Sequence, residues 1–227
     1  MSTKIESVVS LLGGIDMNTT QTVFQSSSLD LVGMIHLPDG DGPFPAVVVC
    51  HPHPLYGGSM DNNVINIICN DLVRASCISF KFNFRGVGAS QGSFSNGPGE
   101  MDDVRAAITF ISKLKQVDPA RLGLAGYSAG AAWGLTAVCR DDRIKALAAV
   151  SPPLSMFDFN CLYDCAKPKL MISGRLDNLI PEIPFLKFCQ SLPEPIECYS
   201  VDGADHFWEG YTEAISHKIT RFFNKHL

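Results

Sequence analysis

An α/β fold, with a mostly parallel sheet of about eight strands covered on both faces by helices, is what the sequence predicts. Three observations lead there. Short apolar runs rich in β-branched residues recur along the chain, as in PAVVVC and IKALAAV. Segments with apolar residues at helical spacing alternate with them. The two kinds exchange through short turns, with no internal repeat, low-complexity tract or linker, so one domain over residues 19–227 accounts for the chain, with residues 1–18 as an N-terminal arm.

The first elements are strands. TQTVFQ and LDLVGMIHLP read as two antiparallel strands joined by a serine turn. PAVVVCH is a continuous apolar run, the mark of a strand covered on both faces. NNVINIICNDLVRAS carries Val64, Ile67, Ile68 and Leu72 at helical spacing. CISFKFNF is the next strand. GEMDDVRAAITFISKLK begins with acids and ends with lysines, which suits a helix dipole running through the lysines. RLGLAGY, IKALAAVS, KPKLMISG and IECYSVDG are further strands. AGAAWGLTAVCR, EIPFLKFCQSL and EGYTEAISHKITRFFNKHL are helices. Ligands in such sheets bind beyond the carboxyl ends of the strands, so the chemistry is sought there.

Composition narrows the partners. The chain has 227 residues, 46% of them hydrophobic, and a net charge of −5. No Lys/Arg run offers a clustered basic surface, which argues against nucleic acid. No apolar stretch approaches the roughly 20 residues of a bilayer span. The N-terminus is too polar for a signal peptide, which points to a cytoplasmic protein with its eight cysteines reduced. Cys161 and Cys165 are spaced C-x3-C with no second pair or histidine to complete a zinc set. His51-x-His53 likewise lacks a third ligand, so no metal is expected and the imidazoles are read as loop braces.

Two serines sit in a Gly-x-Ser-x-Gly pattern: Ser90 in GVGASQG and Ser128 in AGYSAG. The pattern alone is weak, and context decides. A nucleophile elbow needs a strand, a tight turn and then a helix at once, with small residues two before and two after the serine. Ser128 has RLGLA before it and AGAAWGLTAV after it. Ser90 is succeeded by QGSFSNGPG, which is too rich in Gly, Pro and Asn for a helix and reads as a turn. Ser128 is therefore the candidate nucleophile.

A serine nucleophile needs a base, and the base an orienting acid. His206, in the loop after the last predicted strand, lies at the correct edge; His217 and His226 fall in the C-terminal helix. Asp177 comes just after the strand KPKLMISG. Asp202 and Asp205 are rivals, but lie too close in the chain to face the far nitrogen of His206 easily. Two N–H donors complete the arrangement. Ala129 opens the helix after Ser128. In HPHPLYGGSM, Pro52 and Pro54 have no N–H, which leaves His53 as first choice, then Leu55 and Tyr56.

Taken together, HPHPLYGGSMDNNV, FKFNFRGVGASQGSF, GYSAG, GRLDNLIP and GADHFW resemble the small, cap-less α/β-hydrolases of the HPHP type, a carboxylesterase-like or dienelactone-hydrolase-like group. The resemblance spans roughly residues 19 to 225 and implies the α/β-hydrolase fold. It places Ser90 in a structural Arg-Gly-x-Gly-x-Ser loop. Dienelactone hydrolases proper carry a cysteine at the elbow where this chain has Ser128, so that activity does not carry over. What it implies is a serine hydrolase with a Ser128–His206–Asp177 triad, needing no cofactor, acting on a small-molecule acyl ester or thioester. Peptidase chemistry on the same triad, or a non-catalytic binding protein on the same scaffold, are the alternatives. The connection SPPLSMFDFNCLYDCAKP is too short for a lid domain and offers Met156, Phe157 and Tyr163 as an apolar wall. Oligomeric state, a homodimer included, is left open.

Overall fold

The computed structural model describes residues 6–7 and 18–227, so the N-terminal arm expected over residues 1–18 lies outside the described residues except for Glu6–Ser7 and Asn18. The strands are β1 (Glu6–Ser7), β2 (Asn18–Ser26), β3 (Leu29–Leu37), β4 (Phe44–Cys50), β5 (Ile78–Phe82), β6 (Val117–Tyr127), β7 (Ile144–Val150), β8 (Lys169–Gly174) and β9 (Ile196–Val201). The helices are α1 (Asn63–Arg74), α2 (Pro98–Ile111), α3 (Ala129–Val138), α4 (Glu182–Ser191) and α5 (Thr212–His226). One sheet holds all these strands in the order β1-β2-β3-β5-β4-β6-β7-β8-β9. The first three run antiparallel to their neighbours, and the six from β5 to β9 are parallel.

The order explains where a ligand belongs. From β4 the chain steps outward to β5 on one side, then returns past β4 to β6 and walks the other way. The loops after β4 and β6 therefore diverge from adjacent strands and leave a crevice at their carboxyl ends. His53 and Ser128 sit in those two loops.

Alternation along β4 builds two cores. Ala46, Val48 and Cys50 pack on one face with α2, α3 and α4, while Val47 and Val49 pack on the other with α1 and α5. Both faces are covered, which is why the strand reads as unbroken apolar sequence. In α1 the buried stripe is Val64, Ile65, Ile68, Cys69, Leu72 and Val73, and Ile67 falls to its side. In α5, Ile215, Ile219, Phe222 and Phe223 form the equivalent stripe. Each such side chain contributes about 1.5–3 kcal/mol by leaving water.

Two local expectations are corrected. Helix α2 stops at Ile111 with Ser112 as its cap, so Lys113 and Lys115 lie beyond its last turn and do not serve its dipole. The Lys113 and Leu114 N–H groups bond back three residues, to Phe110 and Ile111, and the chain then turns into β6. Strand β6 starts at Val117 rather than near Arg121, because Phe44 pairs with Val117 across a register shift.

The RGVGAS loop is pinned by an ion pair whose carboxylate is buried and whose guanidinium is half-buried. The Arg85 Nη2 lies 2.7 Å from Asp103 Oδ1, and the Arg85 backbone N–H donates to Asp103 Oδ2 at 3.0 Å. Asp103 is fully buried on α2 and also accepts the Ser26 hydroxyl at 2.6 Å. Breaking such a pair from one side strands the other charge. Arg85→Met is expected to cost about 3 kcal/mol and lower Tm by roughly 10 °C, read by thermal denaturation. An unchanged Tm would mean that the pair contributes nothing.

Candidate active site

Strand β6 ends at Tyr127 and α3 begins at Ala129, so Ser128 alone makes the turn between them. Its φ of 55° and ψ of −125° are strained for a residue with a side chain. The surroundings enforce it. A Cβ on Gly130 would lie 2.3 Å from the His51 carbonyl oxygen and 2.5 Å from that of Cys50. A Cβ on Gly126 would lie 2.5 Å from the Gly130 oxygen. Glycine at both places lets α3 press its first turn against the end of β4. The Ser128 N–H donates to Val150 O at 2.9 Å, which ties the turn to the sheet.

Three side chains meet at this rim. The Ser128 Oγ lies 3.1 Å from His206 Nε2, and His206 Nδ1 lies 2.8 Å from Asp177 Oδ2. Positions 128, 177 and 206 thus converge from the loops after β6, β8 and β9. Asp177 Oδ1 accepts the N–H groups of Leu179 and Ile180, at 3.0 and 3.1 Å, which fixes the carboxylate plane. The ionised carboxylate accepts only, so His206 carries its proton on Nδ1 and presents a bare Nε2 to the hydroxyl. The 177 and 206 loops are held together by backbone. Arg175 N–H donates to Val201 O, and Leu176 N–H to Ala204 O. A Cβ on Gly174 would sit 2.3 Å from that Ala204 oxygen, so only glycine allows the approach.

The rival acids are engaged elsewhere. Asp205 Oδ1 caps the N–H groups of Phe207 and Trp208, and Asp202 pairs with Arg175. Ser90 lies away from this rim: its hydroxyl donates to Asn83 O and accepts the Val32 N–H, tying its loop to β3.

The loop after β4 sorts its donors. Leu55 N–H donates to His53 Nδ1 at 3.2 Å, and Tyr56 N–H to His53 O at 3.1 Å. Both are therefore spent, and Leu55 does not line the cleft. The His53 and Ala129 N–H groups donate to no group among the described residues. His51 braces the loop with both nitrogens. Its Nδ1–H donates to Pro52 O at 2.7 Å, and its Nε2 accepts the Phe84 N–H at 3.1 Å. Burial pushes this imidazole down to about 4, so it stays neutral. With both nitrogens used, His51 has no lone pair left for a metal.

A cleft of about 400 Å³ opens over Ser128, Ala129, His53 and His206. Its lining is largely apolar and includes Met156, Phe157, Leu179, Phe207, Tyr56 and Pro153. Tyr163 is not among them. It stands on the outer face of a 3₁₀ turn at Asn160–Asp164, where its ring meets Phe188 of α4 edge-on at 5.9 Å. The turn buries Leu162 instead and carries Tyr163 outward. The 151–168 connection holds no other regular element, so no lid covers the cleft from there.

Sequence reasoning missed three contributors. The Tyr127 hydroxyl donates to the His206 carbonyl at 2.7 Å and anchors that loop from beneath. Leu179 and Phe207 add apolar surface to the cleft, and both are exposed. The available signal was position: apolar residues in strand-end loops, next to Asp177 and His206, where turns are ordinarily polar.

Comparisons with known proteins agree with this fold. Residues 72–166 match the prolyl oligopeptidase family. RP471, an uncharacterized protein of Rickettsia prowazekii, is 33% identical over 186 residues, which is 78% of each chain. An α/β serine hydrolase homologue from Coxiella burnetii superposes with a TM-score of 0.81 at 32% identity, over 88% of this chain and 95% of that one. XC6422 from Xanthomonas campestris, an α/β serine hydrolase without a lid, gives 0.81 at 27% identity, over 91% and 94%.

Proposed function

The chain belongs to the small α/β hydrolases, and from that premise we propose that it hydrolyses carboxylic esters through an acyl-enzyme formed on Ser128. The observation that carries the reading is the continuous bonded path from Asp177 through His206 to the Ser128 hydroxyl, with links of 2.8 and 3.1 Å. As Oγ attacks the acyl carbon, His206 Nε2 takes its proton, and Asp177 stabilises the imidazolium. The oxyanion is received by the Ala129 and His53 N–H groups, each worth about 3–4 kcal/mol in the transition state. His206 then returns the proton to the departing alcohol oxygen. Water, deprotonated by the same nitrogen, adds to the acyl carbon, and the acid leaves as Ser128 recovers its proton.

Met156, Phe157, Leu179 and Phe207 suit an apolar acyl or alcohol group. Among the described residues no Asp, Glu, Lys or Arg side chain lines the cleft, which suits an uncharged ester. One observation favours a second reading on the same triad. The match to the prolyl oligopeptidase family spans the elbow, although it stops before Asp177 and His206. A panel of p-nitrophenyl esters of rising chain length, matching thioesters and peptide anilides separates the two. Esters of short or medium chain are expected to turn over at least tenfold faster than anilides. Faster anilide cleavage would reverse the assignment. A fluorophosphonate probe is expected to label Ser128, and a folded protein that resists it would favour a binding role.

A further inference from the structure

Just past β7 and just past His206 lie two residues in backbone conformations that side chains rarely adopt, and they are bonded to each other. Ser151 follows β7 directly and has a φ of 46°; Trp208 stands two places after His206 and has a φ of 61°. Such angles are unusual outside glycine, and most of all for a side chain as bulky as tryptophan. Both residues are fully buried. The Trp208 Nε1–H donates to Ser151 Oγ at 3.0 Å. Each end is also fixed on its own. The Ser151 N–H donates to Ile172 O of β8 at 2.7 Å, and Asp205 Oδ1 accepts the Trp208 backbone N–H at 3.1 Å. The indole belongs to the same apolar cluster as Val150, Ile215 and Ile219.

Resting on the reading that Ser128 forms an acyl-enzyme, we propose that Ser151 and Trp208 are positioning residues whose hydrogen bond holds the His206 imidazole against the Ser128 hydroxyl. The connection can be followed bond by bond. The Ser128 N–H donates to Val150 O at 2.9 Å, and Ser151 is the next residue after Val150. Ser151 accepts the indole N–H, and Trp208 is joined through Phe207 to His206. The Tyr127 hydroxyl closes the circuit from the residue before the serine, on the His206 carbonyl at 2.7 Å. Nucleophile and base are 78 positions apart in the chain, yet their neighbours are tied together by buried bonds on both sides of the 3.1 Å contact. The left-handed angles at 151 and 208 persist because bonding and packing over-determine them, and strain of this kind collects where a working geometry is held against relaxation. Without the bond, the indole N–H has lost its acceptor inside an apolar cluster, and the 206 loop can relax. A displacement of the imidazole by about 1 Å is enough to cost a large factor in rate. Substrate binding is affected less, because neither residue lines the cleft.

The test compares wild type, Ser151→Ala, Trp208→Phe and the double variant, in steady-state hydrolysis of a p-nitrophenyl ester and in the rate of fluorophosphonate labelling. Alanine and phenylalanine keep a Cβ at each strained position, so neither adds backbone strain. Each single change is expected to lower kcat by about 10- to 100-fold with KM within about twofold, and to slow labelling of Ser128 in parallel. The double variant is expected to lose no more than the worse single, because both remove the same bond. Ile219→Val trims the same apolar cluster and leaves both bonding groups in place; it is expected to lower Tm by roughly 2–4 °C with kcat within about twofold of wild type. Ser151→Ala removes a single oxygen and carries the test alone if Trp208→Phe does not fold. A folded Ser151→Ala with kcat within about threefold of wild type, losses that multiply in the double variant, or an equal loss in Ile219→Val would overturn the proposal. A wild type that neither turns over esters nor labels at Ser128 would instead remove the acyl-enzyme reading, and the positioning role with it.

Discussion

Ser128→Ala is expected to lower kcat for a short-chain ester by about 10⁴ to 10⁶, with the protein still folded. The size reflects the groups removed. Without Oγ there is no covalent intermediate, and His206 has no hydroxyl to deprotonate. The ester is still positioned against the Ala129 and His53 N–H groups, with water as a poor substitute nucleophile. Stability is expected to be preserved for a separate reason. The Ser128 side chain bonds only to His206 among the described residues, and the backbone at 128 is held by Val150 O and by the close packing of Gly126 and Gly130. Alanine keeps the same Cβ at the same strained φ, so the elbow costs no more than before. Steady-state kinetics beside a thermal melt check both halves. Activity above one hundredth of wild type in a protein of unchanged Tm would remove Ser128 from the nucleophile's role.

Much of this was legible because it is local. A strand covered on both faces must be apolar throughout, and β4, β7 and β8 announce themselves that way. The elbow is legible because a one-residue turn between strand and helix tolerates little but glycine at 126 and 130. Ser90 was separable from Ser128 by the residues on its C-terminal side, a loop in one case and α3 in the other. Contacts set by the rest of the fold stayed hidden. Whether α2 ends at Ile111 or at the lysines depends on where the chain must turn to enter β6. Whether Tyr163 faces the cleft depends on which face of a five-residue 3₁₀ turn buries Leu162. Elimination of prolines left three candidate donors after β4, and only the folded loop shows that His53 itself occupies two of them. Tyr127 was invisible as an anchor because its partner is a backbone carbonyl 79 positions along the chain.

Asp177→Asn is expected to reduce kcat by about 10⁴ with little change in stability. The substitution preserves the shape of the side chain. Its Oδ1 can still accept the Leu179 and Ile180 N–H groups, so the loop keeps its cap. The change falls on the partner at 2.8 Å from His206 Nδ1, which becomes an amide N–H donor. Two donors cannot share that contact, so the imidazole moves its proton to Nε2 and meets the Ser128 hydroxyl with a hydrogen where a lone pair is needed. Labelling of Ser128 by a fluorophosphonate is expected to slow in parallel, because it draws on the same proton transfer. Asp177→Ala makes a poorer test, since it also strips the two N–H groups of their acceptor and mixes a folding defect with the chemical one. Asp205→Asn is the control: its oxygen still accepts from Phe207 and Trp208, and activity is expected within a few-fold of wild type. If Asp205→Asn proved the crippling change and Asp177→Asn the harmless one, the orienting acid would have to be reassigned to the residue next to the histidine, and the His206 ring would have to turn over to meet it.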